Sequence, residues 1–316
     1  MDISVVIPAF NERESLPELS AWIARVMKEH GFSYEVIFID DGSTDGTWES
    51  VRTLASADPA VHGIRFRRNY GKSAALYCGF ERAQGEVVFT MDADLQDSPD
   101  EIPGMYRMIV EEGNDIVSGW KQHRQDNALT KNLPSKIYNA TARRITGIKL
   151  HDMNCGLKAY RKEVVKSIEV YGEMHRYIPY LAKNAGYSKI AEKPVQHAKR
   201  KYGKSKFGLD RFVHGFLDLQ TLWFLTRFGG NPMHFFGASG LLMFLVGFVM
   251  TVWIIVAKLV QQAHGLKFRP VTDQPLFYLA LLAVILGVML FLAGFLGEMV
   301  ARSSSDRNHY NLSDIL

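Results

Sequence analysis

Residues 3–47 read ISVVIPAFNERESLPELSAWIARVMKEHGFSYEVIFIDDGSTDGT. ISVVI, residues 3–7, is a β-branched run cut off by Pro8 and a polar stretch. Side chains of that type crowd a helix and fit a pleated sheet, so the run predicts a strand. In ESLPELSAWIARVMKEHG, residues 14–31, the apolar residues recur at helical spacing. Pro17 is tolerated near the helix start, where a missing N–H costs little, and Gly31 stands just past the end. YEVIFI, residues 34–39, is a second strand and stops in DDGSTDGT, a loop of Asp, Ser, Thr and Gly. Strand, helix and strand in so short a stretch make a parallel βαβ unit.

The alternation continues outward. STDGTWESVRTLAS (43–56) predicts a helix, VHGIRF (61–66) a strand and KSAALYCGFERAQG (72–85) a helix closed by Gly85. EVVFTM (86–91) predicts a fourth strand, SPDEIPGMYRMIVEEG (98–113) a helix and DIVSG (115–119) a fifth strand. Strands apolar on both faces, alternating with helices, predict an α/β domain with a mainly parallel sheet covered by helices. Such sheets bind ligands beyond the carboxyl ends of their strands.

The 316 residues are 47% hydrophobic and 22% charged, but the average hides a segregation. Residues 1–206 are charge-rich, whereas Met233–Ala257 and Leu276–Gly297 contain no Lys, Arg, Asp or Glu. Each run exceeds the roughly 20 residues that cross a bilayer as a helix. Two spans return the chain to its starting side. The basic run Lys199–Lys206, with Arg211 and Arg227, precedes the first span and puts both termini in the cytoplasm by the positive-inside tendency. Residues 207–231 set Leu209, Phe212, Val213, Phe216, Leu217, Trp223 and Phe224 at helical spacing. They read as an amphipathic helix in the membrane interface or, alternatively, as a helix packed on the sheet domain. The expected layout is a sheet domain at 1–206, the interfacial helix at 207–231, spans at 233–257 and 276–297, and a cytoplasmic tail at 298–316.

A net charge of +4 argues against a general nucleic-acid binder. MDISVVIPAFNE has no cationic segment before its apolar run, so no signal peptide is expected. Cys78 and Cys155 lack metal-ligand spacing and are expected as free thiols in a reducing compartment.

The chemistry is concentrated in FTMDADLQDSPDE, residues 89–101, after the fourth predicted strand. Side chains two apart in extended backbone point the same way, which would bring Asp92 and Asp94 together. Converging carboxylates repel unless a cation sits between them, and hard oxygen ligands suit Mg²⁺ or Mn²⁺. VIPAFNE ends the first strand and IDDGSTDGT the second, so three polar loops should lie side by side. Asp41 offers a carboxylate to a base or ribose, while Gly42 and Gly46 let the backbone approach a ligand closely. With no Walker loop and no G-x-G-x-x-G loop, a metal would meet phosphate in place of loop amides.

VVIPAFNE, IDDGSTDGT, RNYGKSAAL, MDADLQDSPDEIP, DMNCGLKAY and RKYGKSKFG occur in that order. In these motifs, and over essentially its whole length, the chain resembles the polyprenyl-phosphate glycosyltransferases of family-2 type. That group is similar to the dolichol-phosphate mannose synthases and the bacterial undecaprenyl-phosphate sugar transferases. The resemblance implies a GT-A fold, Rossmann-like and mainly parallel, followed by an amphipathic juxtamembrane helix and two transmembrane helices. It implies that Pro8, Phe10, Glu12, Ile39, Asp41 and Lys72, with Asp92, Ala93 and Asp94, line the nucleotide-sugar pocket. Many relatives have Tyr where this chain has Phe10, which keeps a stacking face and loses a hydroxyl. Asp92, Asp94 and Gln96 would hold the metal, and Asp152 matches the position proposed for the base. Lys121, Arg124 and Lys136 match basic positions near the acceptor phosphate, although relatives often carry Arg in place of Lys121 and Lys136. In KRKYGKSK, residues 199–206, Arg200, Ser205 and Lys206 would grip phosphates. The other reading of that run is a patch for anionic lipid, worth about 1 kcal/mol per cation.

The implied reaction is inverting transfer from a nucleotide diphosphate sugar to polyprenyl (undecaprenyl) phosphate, for cell-envelope glycans. A UDP-sugar such as UDP-glucose is the first expectation, and GDP-mannose, a hexosamine or a modified aminopentose are compatible donors. The acceptor's second pKa, about 6 as in other phosphomonoesters, makes it mostly a dianion near neutral pH. Asp152 could then orient the acceptor or help hold the metal instead of removing a proton. A processive polysaccharide synthase would need further spans and usually a Q-x-x-R-W motif, and a non-catalytic scaffold would not need intact acidic loops. The expected partners are the donor, the lipid phosphate and the bilayer, with a homo-oligomer left open. The expected location is a bacterial inner (cytoplasmic) membrane, multi-pass, with the catalytic domain in the cytoplasm.

Overall fold

The computed structural model describes residues 1–122, 143–144, 146–172, 174–198, 201–202, 224, 228, 232–266, 269–303 and 312–315. The chain divides into two compact units, Met1–Leu219 with Arg307–Leu316, and Gln220–Asp306.

In the first unit the opening alternation is present: β1 (Ile3–Ala9), α1 (Leu16–His30), β2 (Tyr34–Asp40), α2 (Thr47–Ala57), β3 (Val61–Phe66), α3 (Lys72–Arg82) and β4 (Val87–Thr90). α1 ends as its sequence predicts. Gly31 takes φ 69°, and the amides of Gly31 and Phe32 close on the Lys28 and Met27 carbonyls. A 3-10 turn, Pro99–Glu101, leads into α4 (Ile102–Val110) and β5 (Ile116–Trp120). Then come β6 (Lys158–Arg161), α5 (Lys162–Lys166), a 3-10 turn at Met174–Tyr177, α6 (Ile178–Asn184) and β7 (Ile190–Pro194). The sheet order is β7-β5-β6-β4-β1-β2-β3, and an eighth strand, β8 (Leu312–Ile315), completes it beside β3.

The parallel centre, β4-β1-β2-β3, matches the reading of the sequence. Three features lie outside that reading. β6 runs antiparallel between β4 and β5, so the fourth and fifth predicted strands are not neighbours. β4 stops at Thr90, and residues 91–95 leave the strand through a turn and bend. The expected tail carries a strand, β8, antiparallel to β3.

α3 lies on β1 and β2 through a glycine. A Cβ on Gly79 would fall 2.3 Å from Val6 Cγ1 and 3.0 Å from Ile39 Cδ1, both in the fully buried core. Overpacking a well-filled core costs about 1–3 kcal/mol. Gly79→Ala is therefore expected to destabilise the protein by about that amount. The checks are a lower denaturant midpoint and an unchanged kcat per folded molecule.

The second unit contains α7 (Pro232–Ala263) and α8 (Pro275–Ser303). Both are long and apolar enough to cross a membrane, with mean hydropathies of 2.6 and 2.9. They run past the predicted 233–257 and 276–297 at both ends. Glycines set their approach: a Cβ on Gly240 would lie 2.6 Å from Gly287 O, and one on Gly247 2.7 Å from Ala280 O. Small residues at such crossings let two backbones touch. The outward faces carry large exposed apolar side chains, among them Leu242 and Trp253. Of the predicted interfacial helix, only Phe224 and Phe228 lie within the described residues.

Candidate active site

The carboxyl ends of β4, β1 and β2 stand side by side, as the three polar loops require. Hydrogen bonds tie the first two loops together. The Asn11 and Glu12 amides donate to Ser43 Oγ and Thr47 Oγ1, each at 2.9 Å, and the Thr44 amide donates to Asn11 Oδ1. Asp41 joins the second loop to the start of α3: its carboxylate accepts the Tyr70 amide at 2.7 Å and the Gly71 amide at 3.0 Å. Burial raises the Asp41 pKa, and the two amides work against that rise. Gly42 is required beside it. At φ 74°, an added Cβ would meet the Arg68 carbonyl carbon at 2.5 Å. Pro8, Phe10 and Glu12 are half-buried near these loops, and Ala93 is buried. Ile39 is wholly buried, packed toward Gly79.

Lys72, the first residue of α3, donates its ammonium to Asp92 Oδ1. The pair is about one-third exposed, at 33% and 34%. Burial would raise the Asp92 pKa, but Lys72, Lys121 and Lys158 overcome it and hold the carboxyl well below its usual range. Asp92 also leans on Gly156, where an added Cβ would fall 2.4 Å from Asp92 Oδ2. Thr90 Oγ1 donates to Gly156 O at 2.9 Å and fixes that backbone.

Behind Asp92 opens a cavity of about 340 Å³. Its walls include Lys72, Thr90, Asn154, Lys158, His175 and Arg176. Lys158 is buried, and its ammonium donates to the Met153 and Cys155 carbonyls. Burial, with Lys72 nearby, lowers its pKa. His175 Nδ1 sits 3.1 Å from Ser73 Oγ. Burial, then Lys72, Arg176 and Lys158, push its pKa well below the ordinary value, so the ring is neutral. Cys155, also in the wall, is a free thiol pushed up to about 12 by burial, which rules it out as a nucleophile near neutral pH. Gly156, Lys158, His175 and Arg176 were not among the residues picked out from sequence.

Of the remaining candidates, Asp152 and Lys121 adjoin the cavity without lining it. Asp152 is buried, and its Oδ1 accepts the Asn154 amide at 3.1 Å. Glu192 on β7 holds this loop, with Oε1 accepting the His151 and Asp152 amides at 2.8 and 3.1 Å. Lys121 Nζ lies 2.8 Å from Oδ1 of the buried Asp97, and its side chain is itself only 12% exposed. Arg124, Lys136, Arg200, Ser205 and Lys206 lie outside the described residues.

The extended geometry expected for Asp92 and Asp94 is not what joins them. Asp92 turns to Lys72, while Asp94 Oδ1 accepts the Gln96 amide at 3.1 Å across a turn in which Leu95 takes φ 60°. Among the described residues no three His, Cys, Asp or Glu gather as a metal cluster. The donor set fits a hard cation in kind: two carboxylates and an amide. Gln96 Nε2 faces the Ala198 carbonyl at 3.3 Å, so its oxygen would be the end offered to such a cation. Mg²⁺ and Mn²⁺ accept so small a set because substrate phosphate and water fill the remaining positions.

Residues 4–169 match the family described as Glycosyl transferase family 2. The chain is 33% identical over 305 residues to a dodecaprenyl-phosphate galacturonate synthase of Rhizobium johnstonii, covering 96% of this chain and 88% of that one. It is 36% identical over 319 residues to an undecaprenyl-phosphate 4-deoxy-4-formamido-L-arabinose transferase of Shewanella sediminis, covering 99% and 92%. Among solved structures it is similar in fold to the glucosyl-3-phosphoglycerate synthase of Mycobacterium tuberculosis, crystallised with Mn²⁺, UDP-glucose and glycerol 3-phosphate. That match has a TM-score of 0.54 at 20% identity, over 71% of this chain and 79% of that one.

Proposed function

The chain belongs to glycosyl transferase family 2, and on that premise we propose a membrane-bound, inverting enzyme that moves a sugar from a nucleotide diphosphate sugar to a polyprenyl phosphate. One observation carries the reading. The Rhizobium and Shewanella relatives, named for dodecaprenyl and undecaprenyl phosphate, match 96% and 99% of this chain, the sheet unit and both apolar helices included.

Leaving the bilayer costs a polyprenyl chain about 0.8 kcal/mol per CH₂, so such an enzyme works at the membrane surface. α7 and α8 suit that task, because their exposed apolar faces call for lipid. β8 supports an even number of crossings. It pairs with β3, so the residues before α7 and after α8 belong to one unit, and two spans keep that unit on one side. We place it on the cytoplasmic side of a bacterial inner membrane.

In this reading Pro8, Phe10, Glu12 and Asp41 receive the nucleotide. Asp92, Asp94 and Gln96 would hold Mg²⁺ or Mn²⁺, which when bound supplies Lewis-acid stabilisation of the departing diphosphate. Lys72 adds a fixed positive charge where that negative charge develops. Asp152, tied to the Asn154 amide in a loop braced by Glu192, orients the acceptor. A phosphate dianion needs no strong base. The acceptor phosphate is assigned to Arg124, Lys136, Arg200, Ser205 and Lys206.

The test is purified protein in detergent with undecaprenyl phosphate, Mg²⁺ or Mn²⁺ and a panel of nucleotide sugars. One donor should give a lipid phosphate carrying a single sugar, with one nucleoside diphosphate released per product. A polymer, or no lipid product from any donor, overturns the reading.

A further inference from the structure

The end of β7 and the residues after it, 193–198, are fastened along residues 96–101. Lys193 Nζ donates to Glu101 Oε2, and Glu101 Oε1 accepts the Gln196 amide at 3.1 Å. Asp97 and His197 form an antiparallel β-bridge. The Ala198 amide donates to the Gln96 carbonyl at 2.9 Å, and Gln96 Nε2 returns to the Ala198 carbonyl at 3.3 Å. The acidic loop after β4 and the segment that leads into the basic run 199–206 are thus joined at Gln96.

Beneath this seam three side chains meet in the interior: Asp97 is 0% exposed, His197 9% and Lys121 12%. Lys121 Nζ, 2.8 Å from Asp97 Oδ1, balances the charge of a carboxylate that would be costly to bury alone. His197 Nδ1 lies 3.7 Å from the same oxygen, an electrostatic contact and not a hydrogen bond. On the other side of the ring, His197 Nε2 lies 3.4 Å from Gln96 Nε2. Donor chemistry fixes the direction of these contacts. A backbone carbonyl only accepts, so Ala198 O sets Gln96 Nε2 as the end that faces it. An amide NH₂ only donates, so His197 Nε2 is the acceptor, which assigns the ring proton to Nδ1, toward Asp97. Both N–H groups of the Gln96 amide are then engaged, one by Ala198 and one by His197. Its Oε1 is the end it would offer a cation.

Resting on the transferase reading and its metal site at Asp92, Asp94 and Gln96, we propose that His197 is a positioning residue for that site: its Nε2, with Asp97 behind the ring, holds the Gln96 amide so that Oε1 is offered to the metal. Partners of this kind behind a metal ligand change metal affinity about 10–100-fold. The experiment titrates Mn²⁺ calorimetrically into full-length protein in detergent, alone and as its UDP and GDP complexes. His197→Gln keeps an acceptor where Nε2 stands, whereas His197→Asn keeps a donor where Nδ1 stands and falls short of Gln96. In the tightest of the three titrations His197→Asn should raise Kd about tenfold or more, and His197→Gln should stay within about threefold of wild type. In a Gln96→Ala background His197→Asn should add no further loss, because effects that pass through one contact are not additive. The KM for undecaprenyl phosphate should hold in both His197 variants, since a general loosening of the seam would disturb the basic run and raise it. An unchanged Kd in His197→Asn, equal losses in the Asn and Gln variants, or a full further loss in the Gln96→Ala background each defeat the proposal. So does a wild type that binds no Mn²⁺ in any titration. Those results leave the transferase reading to its lipid-product assay, and absence of lipid product with the Mn²⁺ differences present defeats that reading alone.

Discussion

Asp94→Asn reduces turnover about a thousandfold, a barrier increase of about 4 kcal/mol, and leaves the fold intact. The side-chain oxygen that accepts the Gln96 amide at 3.1 Å survives in Asn, so the turn through Leu95 keeps its hydrogen bond. What is lost is a negative charge at the end of β4. Asp92→Asn removes the other charge and leaves Lys72 without its partner carboxylate. Both variants should match wild type in thermal midpoint to within a few degrees. Excess chelator should bring the wild type to the same low rate, and Mg²⁺ or Mn²⁺ should restore it, without rescuing either variant. The readout is the initial rate of lipid product. Full wild-type activity in excess chelator would remove the metal from the mechanism and Asp92, Asp94 and Gln96 from its ligand set.

That prediction rests on residues visible in the sequence, and the reason is physical. β1, β2 and β4 are central parallel strands, buried on both faces, so each appears as an unbroken apolar run ending abruptly in polar residues. A loop of Asp and Gly after such a run must lie at the ligand end of the sheet. Short, polar or distant strands carry no such mark. β6 is KAYR, β7 is IAEKP and β8 is LSDI, and each becomes a strand only because a partner far away in sequence pairs with it. The cavity escaped for the same reason. A lysine in DMNCGLKAY reads as a surface residue, since lysine is seldom buried. It is the antiparallel pairing of β6 with β4 and β5 that takes Lys158 into the interior. The two-residue spacing of Asp92 and Asp94 marks them in the sequence, but the extended backbone that such spacing suggests is not the conformation they take. The strand ends at Thr90, two residues before Asp92 and four before Asp94, and the chain between them turns.

Gly156 shows how tightly the site depends on a residue with no chemistry of its own. An alanine Cβ there would lie 2.4 Å from Asp92 Oδ2, 2.6 Å from its Cγ and 2.9 Å from Oδ1. The carboxylate as a whole is in the way, so rotation about its last bond does not relieve the overlap. Gly156 cannot readily retreat, because its carbonyl is held by Thr90 Oγ1 at the head of β6. Asp92 therefore moves, and it leaves Lys72. Displacement of a reacting-site group by about 1 Å costs about a hundredfold in rate, which is the loss in kcat expected for Gly156→Ala. Its stability should change little, because the displaced group is a partly exposed side chain rather than packed core. Gly79→Ala is the counterpart. Its added Cβ overlaps Val6 by a similar amount, but in the core, and there stability falls while kcat per folded molecule holds. Measuring denaturant midpoint and kcat on both variants separates the two effects. If Gly156→Ala instead loses stability and keeps its rate, the Asp92 carboxylate is not held in its working position by this contact.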